Sequence, residues 1–284
     1  MNREAELRTA LDLNAHGSRT PGLLGVSHPI SMNSYLKLCT ALYDIDKPQA
    51  PVEALAFYRR CAQAARGPIL EPRCGSGRFL VPLRESGFEV DGIDASPQML
   101  GACRTRCQER GLSPTLYQQY LHQLDVPRQY GLIFIAAGSF SLLIDPDEIR
   151  LSLQKLRAAL LPAGKLVLEV ERLKADQRSH DWPWCAGKWV ERPDRARIIS
   201  SWMGRYDAER RISYSKGRYD LVKDEQVLET EVEDFNLRFY SADEFSTVLH
   251  AAGFEGVKLL DDYGKGTSEP GEDTFLFEAR VASD

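Results

Sequence analysis

An α/β architecture, a doubly wound parallel sheet with an inserted antiparallel β-sheet, is what the sequence predicts. Three observations carry it. Between residues 68 and 173, short apolar segments alternate with helical stripes, as strand–helix–strand units on a parallel sheet require. From about 174 to 240 the helical stripes stop and strand-like segments take over. A chain of 284 residues is long enough for one large core with a substantial attachment. The expected organisation is an N-terminal cap of helical or irregular structure (1–50), an α/β core (51–173), an antiparallel insert (174–240) and the completion of the core (241–284).

Each element has its own signal. Residues 1–50 are broken by Gly, Pro, Ser and Asn between Gly17 and Ser34. Residues 52–66 carry a stripe of Leu55, Tyr58, Cys61, Ala62 and Ala65 and end at Gly67–Pro68. The first strand is expected over 68–71, followed by a glycine turn and a helix reaching 84–86, with Pro82 just past its first turn. Residues 88–94 are the second strand. Ser96 and Pro97 then cap and open a helix that closes at Gly111. A third strand is expected over 115–120 and a fourth over 131–136, apolar as a strand covered on both faces should be. Asp145 and Pro146 start a helix striped by Ile149, Leu153, Leu156 and Leu160, and 165–170 is a fifth strand. Antiparallel strands are expected over 196–202, 211–218 and 227–240. Ser241 and Glu244 form a capping-box pattern before a helix ending at Gly253, and 257–260 and 274–279 are late strands.

Composition narrows the function. Thirty-six Lys and Arg against 41 Asp and Glu give a net charge of −5 with no basic block. A nucleic-acid partner is therefore not expected, since phosphate recognition needs a positive surface. No stretch approaches the ~20 apolar residues of a membrane span, so no membrane partner is expected either. The six cysteines form no CxxC pair; they read as core thiols in a reducing, cytoplasmic protein, Cys103 and Cys107 sharing one helix face. No metal site is expected.

The segment 69–83, ILEPRCGSGRFLVPL, is the most informative. Glycines after a first strand let backbone N–H groups approach a ligand without an intervening Cβ. Asp94, nineteen residues beyond Gly75, ends the second strand, where a carboxylate can accept both hydroxyls of a ribose. Together they specify an adenosine-type ligand at the carboxyl ends of the strands.

At this point the sequence resembles the class I S-adenosylmethionine-dependent methyltransferases of small-molecule type. Glu71-Pro72-Arg73-Cys74-Gly75-Ser76-Gly77 fills their acidic-x-Gly-x-Gly-x-Gly frame except at Arg73, where the first glycine is expected. LLPAGKLVLEV (160–170) and SADEFSTVLHAAGF (241–254) resemble the family's turn into strand five and its late helix. The resemblance implies a seven-stranded Rossmann-like sheet with an added antiparallel strand. It also implies S-adenosyl-L-methionine as cofactor and a small-molecule methyl acceptor, modified at N or O.

Carried over residue by residue, the resemblance makes Glu71, Arg73, Cys74, Gly75, Gly77 and Arg78 the cofactor turn, with Arg78 facing the methionine carboxylate; Arg73 departs from the family's frame, and its side chain is expected outside the pocket because Gly75 and Gly77 leave the tighter part of the turn intact. Asp94, Ala95 and Met99 follow strand two; Tyr120, Leu121 and His122 lie beside the adenine; Ala136 meets the methionine end; Tyr43 closes over the cofactor. Phe140, Trp184 and Trp189 are the expected substrate contacts, the tryptophans on an insert that serves as substrate lid or as the contact of a homodimer. His122, Glu169 and His180 are the candidate bases. Two rivals stand beside this reading. A nicotinamide-dependent oxidoreductase would want G-x-G-x-x-G, and Leu80 occupies its last glycine. A non-enzymatic adenosylmethionine-binding protein would share the whole site and lack turnover.

Overall fold

The computed structural model describes residues 34–174, 177–263 and 273–282. The expectation for residues 1–33 lies outside them. The described cap contains helix α1, Lys37–Asp46. The core then runs α2 (Val52–Ala64), β1 (Ile69–Pro72), α3 (Leu80–Glu85), β2 (Val90–Asp94), α4 (Pro97–Gln108) and β3 (Leu116–Gln118). It continues through β4 (Tyr130–Ile135), α5 (Pro146–Ala158) and β5 (Leu160–Glu171). The insert is β6 (His180–Glu191), β7 (Arg197–Asp207), β8 (Ile212–Lys223) and β9 (Gln226–Arg238); α6 (Ala242–Ala251), β10 (Glu255–Leu260) and β11 (Thr274–Arg280) complete the core.

The seven-stranded sheet has the order β10-β11-β5-β4-β1-β2-β3. β1 to β5 pair in parallel, and β11 lies antiparallel to both β5 and β10, the added strand that the resemblance implies. Order reverses beside β1: the chain moves first to β2 and β3, then back to β4. The carboxyl ends of β1 and β4 therefore splay apart there, and a ligand crevice opens.

Both faces of the sheet are covered, which is why β4 is apolar throughout. Ile133 and Ile135 pack with Leu153, Leu156, Phe245 and Leu249 from α5 and α6. Leu132 and Phe134 pack on the other face with Tyr58, Leu80, Leu100 and Cys103 from α2, α3 and α4. Cys103 and Cys107 are both buried on one face of α4, and all six cysteines are free thiols.

The helix starts follow their caps. Ser96 Oγ accepts from Met99 N–H at 3.1 Å, and Asp145 Oδ1 accepts from Asp147 and Glu148 N–H at 2.9 and 3.1 Å. Ser241 Oγ accepts from Glu244 N–H, but the reciprocal half of the capping box is replaced: the Glu244 carboxylate binds Arg211 and Arg238 instead. A guanidinium pair offers a carboxylate more than one backbone N–H does. Pro82 falls inside the first turn of α3, not beyond it, because the glycine turn extends to Phe79; its missing N–H costs nothing there.

The insert is a four-stranded antiparallel sheet of order β6-β7-β8-β9, one strand more than the sequence shows. β6 was hidden because it is an edge strand with two register shifts against β7 and almost no burial. On the inner face, Val190, Ile198 and Tyr219 close over Leu38 and Cys39 of α1. Glu231 and Glu233 of β9 accept from Leu38 and Leu36 N–H at 2.6 and 2.9 Å. Two side chains from the insert thus cap a helix that has no cap of its own. No described helix is long and apolar enough to cross a membrane.

Candidate functional site

A cavity opens at the carboxyl ends of β1, β2 and β4, roofed by α1. The glycine turn after β1 forms its floor. Gly75 sits at φ +55°, and its N–H donates to Asp94 Oδ2 at 2.9 Å, while Ser96 N–H donates to Oδ1 at 2.9 Å. These bonds lock the turn to the end of β2. Ala95 N–H also draws on the carboxylate, which offers about four acceptor positions, so capacity for a further donor remains. Burial raises the Asp94 pKa above the usual carboxylate value, against the pull of these N–H groups and of the Arg73 charge.

Gly77 is different. At φ +84° it does not line the cavity; a Cβ there would stand 2.8 Å from Cys103 Sγ. Its place in the motif lets the turn pack against α4, and it acts on the cavity only by shaping that turn.

One end of the cavity carries opposite charges. Glu71, at the end of β1, is buried, and its Oε2 has no hydrogen-bond partner among the described residues. Burial pushes its pKa well above the usual value. Arg78 lies beside it, donating from Nη1 to the Tyr43 hydroxyl at 2.9 Å, with Nε buried and unpartnered. Tyr43 comes from α1, so the roof and the floor meet here. Cys74, Met99, Ala95 and Ala136 line the walls between the ends.

The other end is flat and partly aromatic. Tyr120 and His122 stack at 5.7 Å between centroids and 24° between planes, with Leu121 and Ile93 beside them. His122 Nδ1 is 3.6 Å from Glu148 Oε1, and burial raises the Glu148 pKa. Glu148 and Tyr35 also line the cavity and have no place in the sequence reading. Glu148 sits in the first turn of α5, where a carboxylate has an ordinary helix-start role, and Tyr35 lies in the segment that precedes α1.

Arg73 requires a correction. Its side chain does not point away into solvent; it lines the cavity. The position demands a left-handed backbone, φ +58°, which a glycine would adopt freely. In that conformation Arg73 projects inward, where its charge is felt by Asp94, Tyr35 and Glu148; burial lowers its pKa.

Five other expected site residues fall outside the cavity. Phe140 is fully buried and packs edge-on against Phe245 at 5.6 Å, in the core behind β4. Trp184 and Trp189 are 47% and 59% exposed on the outer strand β6. His180 sits at the start of that strand, its Nδ1 held by Arg178 O. Glu169 is buried with its carboxylate taken by the hydroxyls of Tyr58 (2.6 Å) and Tyr263 (3.0 Å), so it ties α2 to β5. Of the candidate bases, His122 alone lines the cavity.

Known proteins agree with this geometry. A family model described as a methyltransferase domain matches residues 69–164. That stretch is about a third of the chain, and the seven-stranded sheet around it has the fold of S-adenosylmethionine-dependent methyltransferases. The glycine/sarcosine N-methyltransferase of Halorhodospira halochloris is 31% identical over 136 residues, 47% of this chain and 48% of that protein. The sugar N-methyltransferase KedS8 from Streptoalloteichus sp ATCC 53650 superposes with a TM-score of 0.67 at 19% identity, covering 94% of this chain and 100% of that one. CalS10 from Micromonospora echinaspora, an amino pentose methyltransferase solved with S-adenosylmethionine bound, superposes with a TM-score of 0.62 at 19% identity over 88% and 99% of the two chains. The chain spans about half the length of the curated relatives it matches.

The cavity fits S-adenosylmethionine. S-adenosylmethionine carries an ammonium and a carboxylate at one end, a diol in the middle and a flat base at the other. The Glu71 oxygen and Arg78 Nε, unpartnered among the described residues, supply opposite charges at one end; Asp94 supplies remaining acceptor capacity; Tyr120, Leu121 and His122 supply the flat end. Arg73 is the one departure.

Proposed function

We propose that this protein transfers the methyl group of S-adenosylmethionine to a nitrogen or oxygen of a small molecule. One observation carries the reading: a buried, unpartnered carboxylate oxygen of Glu71 shares a cavity with Arg78 and with the Asp94-bound glycine turn. A zwitterionic, diol-bearing ligand satisfies all three at once, and a burial cost of roughly 1–3 kcal/mol per unsatisfied polar group gives it reason to bind.

In this reading Glu71 and Arg78 hold the amino-acid end, with Tyr43 orienting the guanidinium from above. Asp94 holds the ribose. Tyr120, Leu121 and His122 flank the base, and Glu148 fixes the His122 ring. The cofactor supplies a methyl group already activated on a sulfonium. The chain's own part is to align the acceptor and exclude water, which can supply most of the rate enhancement. Tyr43 and Tyr35 on the roof do the excluding. Sugar, amino pentose and glycine/sarcosine acceptors in the names of similar proteins favour a small acceptor here, as does the acidic net charge. The exposed edge β6, with Trp184 and Trp189, is the surface we assign to a contact between copies, and sedimentation of a Trp189→Asp variant tests it.

Arg73 inside the cavity favours a second reading, a binding protein without turnover. Calorimetry with S-adenosylhomocysteine and NAD, followed by mass spectrometry of amine and hydroxyl acceptors incubated with S-adenosylmethionine, separates the possibilities. Tight homocysteine-cofactor binding with methylated product is the expected result. NAD binding without response to either sulfur cofactor overturns the proposal.

A further inference from the structure

The wall of the cavity formed after β4 leads to an acidic group outside the cofactor region. Ala136, Ala137 and Ser139 line the cavity, and the backbone turns left-handed twice there, at φ +56° for Ala137 and +66° for Gly138. The double turn brings Gly138 against the Glu171 carboxylate: a Cβ at Gly138 would lie 2.6 Å from Oε1. The positive φ favours glycine, and its missing Cβ leaves room for the carboxylate to rest against the loop. Glu171 is the last residue of β5, and its own N–H donates to Ser141 Oγ at 2.8 Å, which pins the strand end to the same loop. Lys47, just past α1, approaches from the roof. Its ammonium is 5.6 Å from the centre of the Tyr43 ring and its charge reaches Glu171. Glu171 thus stands half-buried behind the β4 loop, just outside the cavity lining, and Lys47, whose charge reaches both Arg78 and Glu171, links it to the end that holds Glu71, Arg78 and Tyr43.

The charged groups that act on it come from β5 and the residues after it, from the start of β11 and from the end of α1. Glu169 lies on β5, Asp273 precedes β11, Lys174 follows β5 and Lys47 follows α1. Burial, Asp273 and Glu169 outweigh the two lysines and push the Glu171 pKa up to about 7. A carboxyl of that kind exchanges protons near neutrality, as a general base must. Glu169 has the burial without the freedom, since two tyrosine hydroxyls hold it.

We propose that Glu171 binds a primary or secondary amine acceptor as its ammonium and takes the proton that the amine must lose. The inference rests on the methyl-transfer reading and names its acceptor class. An ammonium has no lone pair. Transfer of one N–H proton to Glu171 frees the pair, which forms the new N–C bond to the sulfonium methyl as the C–S bond breaks. The C–S electrons stay on sulfur, leaving the neutral thioether, a methylated ammonium and a protonated Glu171.

The test measures binding, so it does not depend on turnover. Cyclohexylamine, tyramine and glucosamine, each beside its hydroxyl counterpart (cyclohexanol, tyrosol, glucose), are titrated by saturation-transfer NMR into the full chain, with and without S-adenosylhomocysteine. At pH 8 at least one amine should bind the wild type about tenfold tighter than its counterpart. Going from pH 8 to pH 6 through a group of pKa about 7 lowers the ionised fraction about tenfold, and the preference should fall with it. Glu171→Gln should abolish both the preference and its pH dependence while S-adenosylhomocysteine affinity changes less than twofold; Glu171→Asp should restore them in part. No amine preference in the wild type, or the same preference in Glu171→Gln, overturns the proposal. Failure of S-adenosylhomocysteine to bind either protein would instead strike the methyltransferase reading, and the amine titrations without it would still decide the role of Glu171. Should Glu171→Gln not fold, Glu171→Asp carries the comparison through a shifted pH midpoint.

Discussion

Replacing Arg73 by glycine should tighten cofactor binding about tenfold. Arg73 holds a left-handed backbone, which costs a side-chain-bearing residue roughly 1–2 kcal/mol. Glycine removes that strain and adds about 0.5–1 kcal/mol of chain entropy to be lost on folding, so stability should change little. The larger effect lies in the cavity. The guanidinium sits in the field of Asp94, the carboxylate assigned to the ribose, and a ligand must draw it away. Opposite unit charges within reach of each other interact by roughly 3 kcal/mol at an effective dielectric of about 20. Asp94 and Arg73 are both half-buried, so about half of this survives solvent screening. Removing the competitor should then be worth about 1.4 kcal/mol, a factor of ten. Calorimetry with S-adenosylhomocysteine on wild type and Arg73→Gly measures it, with thermal melts to show an intact fold. Because Arg73 lowers the Asp94 pKa, the gain should shrink as the pH is lowered. Unchanged affinity would show that Arg73 does not compete. A loss would make the guanidinium a ligand-holding group and refute the argument outright.

Three further outcomes are expected. Asp94→Asn removes the charge and turns an amide N–H toward either Gly75 or Ser96 N–H; S-adenosylhomocysteine affinity should fall at least tenfold by calorimetry, since a hydrogen bond to a charged group contributes about 1.5–3 kcal/mol. Gly77→Ala drives a Cβ to 2.8 Å from Cys103 Sγ at φ +84° and should cost about 1–3 kcal/mol in urea unfolding, with part recovered by adding Cys103→Ala. Glu171, whose folded pKa is raised from 4.5 to about 7, contributes stability that is fully present below about 4.5 and lost as the pH rises through 7. Glu171→Gln should therefore melt higher than wild type at pH 8, with the gap closing toward pH 4; an equal gap at both would exclude the titration.

Most of the core was legible because several local signals agreed on it. Ser96, Asp145 and Ser241 each cap the helix they precede, and β4 is apolar on both faces because α2 and α5 cover it from opposite sides. Asp94 was legible through its distance from the glycine turn. What sequence could not show was direction. Arg73 occupies a glycine's place, but its inward course follows from a backbone angle that no residue type states. Phe140 follows β4 as an acceptor contact might, yet it turns into the core against Phe245. The third failure was β6: His180–Glu191 holds Pro183 and Gly187, pairs on one side only and is almost wholly exposed, so neither burial nor period marks it. Glu169 and Glu171 look alike at the end of β5. Only the tyrosine hydroxyls on one and the glycine loop under the other tell them apart.

The capping of α1 by the insert has a consequence for synthesis. Ser34 Oγ donates to Asp234 O, and Leu36 and Leu38 draw their acceptors from Glu233 and Glu231, separations of 200, 197 and 193 residues. The roof of the cavity, with Tyr35 and Tyr43, is therefore fastened by the last strand of the insert. A growing chain that has already released β1, β2 and the glycine turn from the ribosome carries every floor residue and no fastened roof. Such a nascent chain should hold the cofactor weakly until β9 has emerged, so that the ability to bind arrives abruptly and late in translation.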